Sequence, residues 1–194
     1  ASFIKERIDT VLAQTFKDIE IIIIDDGSTD NSRDVMEPYR TDPRVTIVYN
    51  GLNSGSPFHQ WIKGTQMARG KYIWVAESDD VADPQFLEEM LALLQQDDRI
   101  CLAYCDSLIE INGNTSASTF SARKNTSFKT SKWNTDYIVD GKAEINEALK
   151  WECTVNNASA AVFRREQALP LIQQTAAFRY RGDWLFYMLL AAQG

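Results

Sequence analysis

A run of four isoleucines at residues 21–24 is followed at once by Asp25, Asp26 and Gly27. Because the run has no polar alternation, it predicts a strand covered on both faces, as in a parallel sheet between helices. Loops at the carboxyl ends of such strands are where ligands bind in open α/β sheets. The run therefore predicts a strand that delivers acidic side chains to a ligand-binding edge.

A second apolar segment, residues 72–76, ends in the sequence Glu77-Ser78-Asp79-Asp80. Adjacent carboxylates repel each other, and several together are tolerated mainly when a cation or hydrogen-bond donors compensate them. A divalent ion held by one or two carboxylates and completed by substrate phosphates would do so. The alternative is that such acids cap the following helices, which is the favoured interpretation for Asp30 and Asp83.

Apolar periodicity predicts alternating strands and helices over about the first 110 residues. The predicted strands are residues 19–24, 45–49, 72–76, the run that contains Cys101 and Cys105, and 158–164. The predicted helices are one capped by Ser2, then residues 31–40, 57–68, 84–96, 144–150 and 166–174, and one that starts near Asp183. This alternation favours a doubly wound, mostly parallel sheet flanked by helices, in one domain. Residues 111–140 are rich in Asn, Ser, Thr and Lys and predict a long irregular excursion.

Composition narrows the functional classes. The 194 residues carry a net charge of −7, which argues against a broad nucleic-acid surface. No apolar run is long enough to span a membrane, and no signal-peptide pattern is present. The chain also lacks a P-loop and the glycine fingerprint of dinucleotide oxidoreductases.

The cysteines and the single histidine do not predict a reactive site. Cys101, Cys105 and Cys153 lack metal-ligand spacing, and Cys101 and Cys105, in an apolar strand-like run, are predicted to be buried, reduced thiols. His59 has no acid or cysteine partner placed by the sequence, so a structural or surface role is favoured.

Four elements in order resemble the nucleotide-sugar domain of family-2 glycosyltransferases with the GT-A fold. They are residues 21–32, Asn53-Ser54-Gly55, Gly70-Lys71-Tyr72-Ile73 and Glu77-Ser78-Asp79-Asp80. The resemblance spans essentially the whole chain and implies a Rossmann-like α/β domain. It also implies an inverting transferase that moves a sugar from a nucleoside diphosphate to an acceptor hydroxyl, aided by Mg²⁺ or Mn²⁺.

The resemblance implies roles for individual residues. Asp25 and Asp26 match the acidic pair that contacts the base and ribose of the donor. Glu77-Ser78-Asp79 falls at the family's DxD motif, with Glu77 in place of the first Asp, Asp79 as the metal ligand and Asp80 beside it. The nucleotide-binding candidates are Asp25, Asp26, Ser28, Asn53, Lys63 and Ser78.

Asp183, within Arg181-Gly182-Asp183-Trp184, matches the late motif whose aspartate is the general base. Family members often carry Glu where this chain has Gly182. The alternative for Asp183 is an ordinary helix N-cap.

The chain departs from the family pattern in two places. The family sheet opens with a strand that ends in a Pro-x-Tyr-Asn-like loop, and this sequence begins just after it, so we expect a truncated piece. Without that strand, residues 21–24 would be left on an edge that invites pairing with another chain. Where many members place an Arg-Asn pair, this chain has Gln60-Trp61, with Lys63 as the nearest cation.

The expected organisation is a nucleotide-sugar-binding half, residues 1–110, and an acceptor-side half, residues 111–194, of one domain. Trp151, Asn156 and Asn157 line the acceptor side or, equally well, form a turn and core. The resemblance implies a UDP-sugar donor, with dTDP- and GDP-sugars as alternatives, and a saccharide or lipid-linked acceptor of cell-envelope polysaccharide synthesis. It prompts the hypothesis of a cytoplasmic protein associated with the inner face of the membrane.

Two other functions remain open from the sequence. A nucleotidyltransferase acting on sugar phosphates also binds nucleotide and metal on a related sheet. A nucleotide-sugar-binding or assembly module without turnover, part of a larger polysaccharide-synthesising protein, is the alternative from a different class.

Overall fold

The computed structural model describes residues 3–111 and 114–194. The α-helices are α1 Ile4–Leu12, α2 Ser32–Met36, α3 Pro57–Met67, α4 Phe86–Leu94, α5 Phe120–Phe128, α6 Gly141–Glu144, α7 Arg165–Ile172 and α8 Gly182–Ala191. The strands are β1 Ile21–Asp25, β2 Val45–Tyr49, β3 Tyr72–Trp74, β4 Leu102–Tyr104, β5 Leu108–Ile111, β6 Asn114–Thr119 and β7 Ala161–Arg164. The chain is an α/β protein, as expected.

The strands form three hydrogen-bonded groups. β1 and β2 are parallel, with Ile21 opposite Val45 and Asp25 opposite Tyr49. β7 lies between β3 and β4 and runs antiparallel to both, while β5 and β6 form an antiparallel hairpin. Neighbouring strands that are joined by one crossover helix run parallel. β4 and β7 are instead joined through β5, β6 and several helices, and β7 runs antiparallel to β4.

A groove separates β1 from β3. Within residues 3–111 and 114–194 these strands belong to different sheets, and a cavity of about 1010 Å³ is lined by both of them together with α1 and α3. Within the described residues β1 pairs with β2 alone. Ile21–Ile24 are half-buried, so the prediction of a strand fully covered on both faces is wrong.

The main core joins α3, α7 and α8 to β7. The ring of Phe186 meets Phe163 and Trp61 nearly edge-on, with ring centroids 5.0 and 6.3 Å apart. Phe163 and Phe186 are 1% and 0% exposed. This packing anchors α8, which carries Asp183, on the sheet.

Residues 111–140 are more regular than the sequence predicted. Their described part includes the end of β5, all of β6, α5, and a 3₁₀ turn at Lys132–Asn134. Thr119 caps α5 by accepting a hydrogen bond from the amide of Ala122, and Trp133 is buried against Phe128. Polar side chains that cap helices here accept hydrogen bonds from backbone amides. A polar composition is therefore compatible with regular structure in this segment.

Several predicted boundaries shift. Ser2, the expected cap of α1, lies outside the described residues. The helix predicted over 31–40 divides into α2 and a 3₁₀ helix at Glu37–Thr41, and the one predicted near 144–150 is a π-helix at Ile145–Leu149 that continues α6. Pro84 precedes the first turn of α4 instead of opening it. In the part of the chain that the structure describes, no helix is long and apolar enough to cross a membrane.

Candidate functional site

Asp25 closes β1 with a carboxylate that is held in place from two sides. The Nε atom of Arg33 donates to Oδ2 at 2.8 Å, and the amide of Ser28 donates to Oδ1 at 3.2 Å. Burial alone would raise the pKa of Asp25, but these hydrogen bonds outweigh it and the pKa is lowered. Asp25 is therefore ionised, and it fixes the loop that Gly27 and Ser28 form.

Asp26 joins this loop to the one that follows β2. Its carboxylate accepts from Asn50 Nδ2 at 2.8 Å and from the Oγ and amide of Ser54 at 2.7 and 2.9 Å. Asn53 Nδ2 donates to the Asp26 carbonyl at 2.8 Å. Two of the predicted nucleotide-binding residues, Asp26 and Asn53, are thus in direct contact.

Lys63 and Gln60 complete this network from α3. Lys63 Nζ donates to Asn50 Oδ1 at 2.5 Å, and Gln60 contacts both Asn50 and Ser54 at 2.9 Å. The sequence reasoning missed Asn50, Ser54 and Gln60. Asn50 directly follows a strand, as Asp26 does, so the same edge argument could have found it.

The second acidic loop follows β3 and is tied to the segment before β7. The amide of Glu77 donates to Ser159 Oγ at 2.9 Å, and the Trp74 indole donates to the Ser159 carbonyl at 2.8 Å. Burial, followed by the charges of Asp80, Asp79 and Asp183, raises the pKa of Glu77. Ser78 and Asp79 are exposed, so they face solvent at the end of the strand.

Arg7 lies beneath this loop and was not predicted. It is 2% exposed, and its guanidinium carbon is 4.6 Å from the centroid of the Trp74 ring. Burial lowers the pKa of Arg7 to about 10, an effect opposed by the charges of Asp80, Asp79 and Glu77, so the side chain remains cationic at neutral pH. The only signal in the sequence was a charged residue within the apolar stripe of α1.

The second acidic loop offers only a few carboxylates to a metal ion. Among the described residues, no group of three His, Cys, Asp or Glu side chains is placed to form a protein cage around a metal. The mutual repulsion at Glu77 shows that negative charge accumulates at the loop. Hard oxygen donors of this number suit Mg²⁺ or Mn²⁺ bound through one or two carboxylates and completed by phosphate oxygens.

Asp183 lies in the first turn of α8 and is not its N-cap. Arg181 occupies the cap position with φ 60°, and no side chain caps the helix. The charge of Asp183 contributes to the raised pKa values of Glu77, Cys153 and Tyr187, so the late motif and the second acidic loop share one environment. The N-cap alternative for Asp183 is therefore wrong.

The structure brings the candidates together in two clusters. One is the hydrogen-bonded network of Asp25, Ser28, Asp26, Asn53 and Lys63 with their partners, and the other contains Glu77, Asp79, Asp80 and Asp183. Within the described ranges, no hydrogen bond or ion pair that we identify joins the two clusters. A ligand that contacts both would have to bridge them.

The structure also shows where the candidates outside these two clusters lie. Asn156 donates to the Cys105 carbonyl at 2.9 Å, and Asn157 caps the 3₁₀ helix Ala158–Ala160 by accepting from the amide of Ala160 at 2.7 Å, so both side chains bind backbone groups. Trp151 is 70% exposed and belongs to no core. The three cysteines are free thiols whose pKa values are raised by burial; Cys101 is buried, as expected, whereas Cys105 is only half-buried, and His59 is exposed.

Comparison with known proteins gives consistent matches. The family model described as glycosyl transferase family 2 matches residues 1–168. Glycosyltransferase GlyG of Streptococcus pneumoniae is 33% identical over 96 residues, which cover 50% of this chain and 32% of that protein. A putative teichuronic acid biosynthesis glycosyltransferase, TuaG of Bacillus subtilis, is 34% identical over 95 residues, 48% of this chain and 37% of that protein. The chain thus spans about a third of the length of these curated relatives.

Solved structures share the fold. The crystal structure of S. aureus TarS in complex with UDP-GlcNAc matches with a TM-score of 0.68 and 18% identity, covering 100% of this chain and 50% of that one. The complex with UDP matches with a TM-score of 0.67 and 18% identity, over 96% of this chain and 50% of that one. These matches confirm the predicted GT-A α/β fold.

Proposed function

Since the chain belongs to glycosyl transferase family 2, we propose that it moves a sugar from a nucleoside-diphosphate donor to an acceptor hydroxyl with inversion. What supports the proposal is the placement of acidic loops at the ends of β1 and β3 and of Asp183 in the first turn of α8, where its charge acts on Glu77. In a single displacement, one carboxylate takes the proton of the acceptor hydroxyl while a second group faces the leaving diphosphate. The two must therefore lie close together.

The first cluster would hold the nucleotide. A fixed, ionised carboxylate is a good acceptor for ribose hydroxyls, and Asp25 and Asp26 are held in that form by their hydrogen bonds. Ser28, Asn53 and Lys63 contribute polar atoms from the neighbouring loops, and Ser78 lies at the second loop. The TarS complexes contain UDP and UDP-GlcNAc, which favours a UDP-sugar over dTDP- and GDP-sugars.

The second cluster would face the diphosphate. Asp79, with Asp80 and Glu77 beside it, would hold Mg²⁺ or Mn²⁺, which when bound supplies positive charge against the charge that grows on the leaving group. Arg7 adds a buried positive charge beneath the same loop. Ser159 fixes the start of the loop through the amide of Glu77.

Asp183 would act as the general base on the acceptor hydroxyl. It lies in the first turn of α8, with its charge near Glu77 of the second acidic loop. A well-placed general base contributes roughly 10²–10⁴-fold to the rate. Residues 1–110 would then serve the donor, and residues 111–194 the acceptor.

The wider role is proposed by analogy with the relatives. TuaG is named for teichuronic acid biosynthesis, which favours a saccharide or lipid-linked acceptor in cell-envelope polysaccharide synthesis. We propose that the protein works in the cytoplasm at the inner face of the membrane. Co-sedimentation of the full-length protein with vesicles that carry lipid-linked acceptors tests this, and a protein that remains wholly in the supernatant contradicts it.

Calorimetric titration of UDP, dTDP and GDP, with Mn²⁺ and with EDTA, tests the donor site. We expect Mn²⁺-dependent binding of one nucleotide that is lost in Asp79→Asn and retained in Asp183→Asn. Asp98→Asn is the matched control, because this aspartate is 95% exposed on the turn before β4. Absence of nucleotide binding to the folded protein contradicts the proposal.

Donor turnover separates an enzyme from a binding module. With the matching UDP-, dTDP- or GDP-sugar, we expect release of nucleoside diphosphate that falls at least 100-fold in Asp183→Asn. The anomeric configuration of the product, read by NMR, tests inversion. A protein that binds nucleotide but releases none, with the same behaviour in Asp183→Asn, would be the binding or assembly module instead.

A further inference from the structure

Two large aromatic side chains are exposed to solvent on two segments near the start of α8. Trp151 is 70% exposed and Tyr180 is 74% exposed. Single exposed apolar residues are common on protein surfaces and need no explanation. Two on segments joined to the start of α8, which carries one candidate catalytic carboxylate, call for an explanation.

Both segments are tied to the start of α8. The Trp184 indole donates to the carbonyl of Leu149 at 2.5 Å, two residues before Trp151. On the other side of Trp151, Cys153 is close enough to Asp183 for the aspartate charge to act on its thiol. Tyr180 lies three residues before Asp183 in the chain. Each of the two segments near the start of α8 therefore carries one exposed aromatic side chain.

The segment that carries Tyr180 is braced on both sides. Ser56 Oγ donates to the Phe178 carbonyl at 2.9 Å, and Gly182 packs against the ring of Phe58. Between them Arg181 adopts the left-handed conformation, with φ 60°, which is unfavourable for a residue with a side chain. Such a conformation persists where the surroundings hold it, so Tyr180 is displayed by a fixed segment.

Each aromatic has a cationic neighbour. Lys150 Nζ lies 5.1 Å from the centroid of the Trp151 ring, and Arg179 Cζ lies 5.6 Å from that of Tyr180. The chain as a whole carries a net charge of −7, so a cation at each of these two rings departs from its general surface, although Glu152 follows Trp151 directly. This pattern suits a ligand that combines an apolar face with a negative charge.

We propose that Trp151 and Tyr180 form an acceptor platform that stacks on the CH face of a pyranose ring and, with Lys150 and Arg179, selects an acidic saccharide. The inference rests on the proposed transferase function and names the acceptor class of that site. Aromatic and basic side chains also occur together at membrane surfaces. Their position beside the candidate base favours a saccharide, because an acceptor must bind there in any case.

The test is binding of the full-length protein, loaded with Mn²⁺ and nucleotide, to an array of defined acidic and neutral oligosaccharides. We expect acidic saccharides to be preferred and the signal to fall at least about tenfold in Trp151→Ala and in Tyr180→Ala. Trp151→Phe keeps a stacking face and should recover most of the binding. Leu108→Ala removes a side chain that is 63% exposed on β5 and is the control.

Parallel measurements make the outcomes distinct. Nucleotide affinity measured by calorimetry should be unchanged in both alanine variants. Two results overturn the platform alone, provided that nucleotide binds normally. In the first, no acidic saccharide binds. In the second, saccharide binding is unaffected by both alanine substitutions. Failure of every variant and of the parent protein to bind nucleotide overturns the proposed function. In a third result, the parent protein binds phosphatidylglycerol vesicles but no saccharide, and the alanine variants lose vesicle binding. This result assigns the aromatics to a membrane surface and also overturns the platform.

Discussion

The ring of Phe58 fills the space in which a side chain on Gly182 would begin. A Cβ atom on Gly182 would lie 2.8 Å from Cε2 and 2.9 Å from Cζ of Phe58. Phe58 is only 4% exposed and meets Trp61 edge-on at 5.5 Å, so its ring has little room to move. This contact explains why glycine precedes Asp183 where many family members have glutamate, and it fixes the first turn of α8.

Gly182→Ala should therefore destabilise the protein. Overpacking of a close contact typically costs about 1–3 kcal/mol, although alanine in a helix would otherwise be favoured by up to about 1 kcal/mol. Urea denaturation measures the free energy of unfolding. Gly51→Ala is the control, because a Cβ there meets nothing within 4 Å and should change this free energy by less than about 0.5 kcal/mol. Equal stability of the two variants would contradict the contact.

Gly27→Ala should weaken nucleotide binding as well as stability. Gly27 has φ 77°, and a Cβ there would lie 2.8 Å from the amide nitrogen of Asn53, so the two loops of the first cluster would be forced apart. Gly55→Ala is a matched control, since φ is 75° but a Cβ meets nothing within 4 Å. We expect both variants to lose about 1–2 kcal/mol of stability from backbone strain. Calorimetry should find reduced nucleotide affinity in Gly27→Ala only, and an equal reduction in both would argue against loop separation.

Ionised Asp25 should stabilise the folded protein, and this stabilisation should be lost in acid. Its pKa is lowered in the folded state because the hydrogen bonds from Ser28 and Arg33 outweigh burial. The stabilisation is complete above the unfolded pKa of about 3.9 and is lost as the pH falls through the lower folded value. Urea unfolding at pH 7 and in steps down to pH 3 should show a smaller loss of stability in Asp25→Asn. A loss as large as that of the parent protein and of the control Asp98→Asn would exclude this role.

The three thiols should react slowly in the folded protein. Burial, with the neighbouring charge of Asp183, raises the pKa of Cys153 to about 12, and burial raises the pKa values of Cys101 and Cys105. Since the thiolate is the reactive form, little of it is present at pH 8. Ellman's reagent should titrate the thiols slowly under native conditions and three thiols rapidly in urea. A native thiol that reacts as fast as in urea would contradict the burial.

The local pattern of the chain was sufficient for much of the fold and for the position of the acids. β2 was predicted at its exact bounds, and β1, β3 and α3 within one or two residues, because unbroken apolar runs and helical periodicity are local signals. The acidic residues at the ends of β1 and β3 follow from the same runs. The GT-A fold was inferred from motif order and is confirmed by the solved structures.

The contacts that make a site out of these residues were decided by the tertiary structure. The bonds of Asp26 to Asn50 and Ser54, the bond of Glu77 to Ser159 and the contact of Gly182 with Phe58 join residues that are 24–124 positions apart. The direction of β7, the groove beside β1 and the burial of Arg7 likewise depend on how distant segments pack. A residue's local sequence determines its backbone preference and its chemistry, whereas its neighbours across the fold determine its burial, charge state and partners.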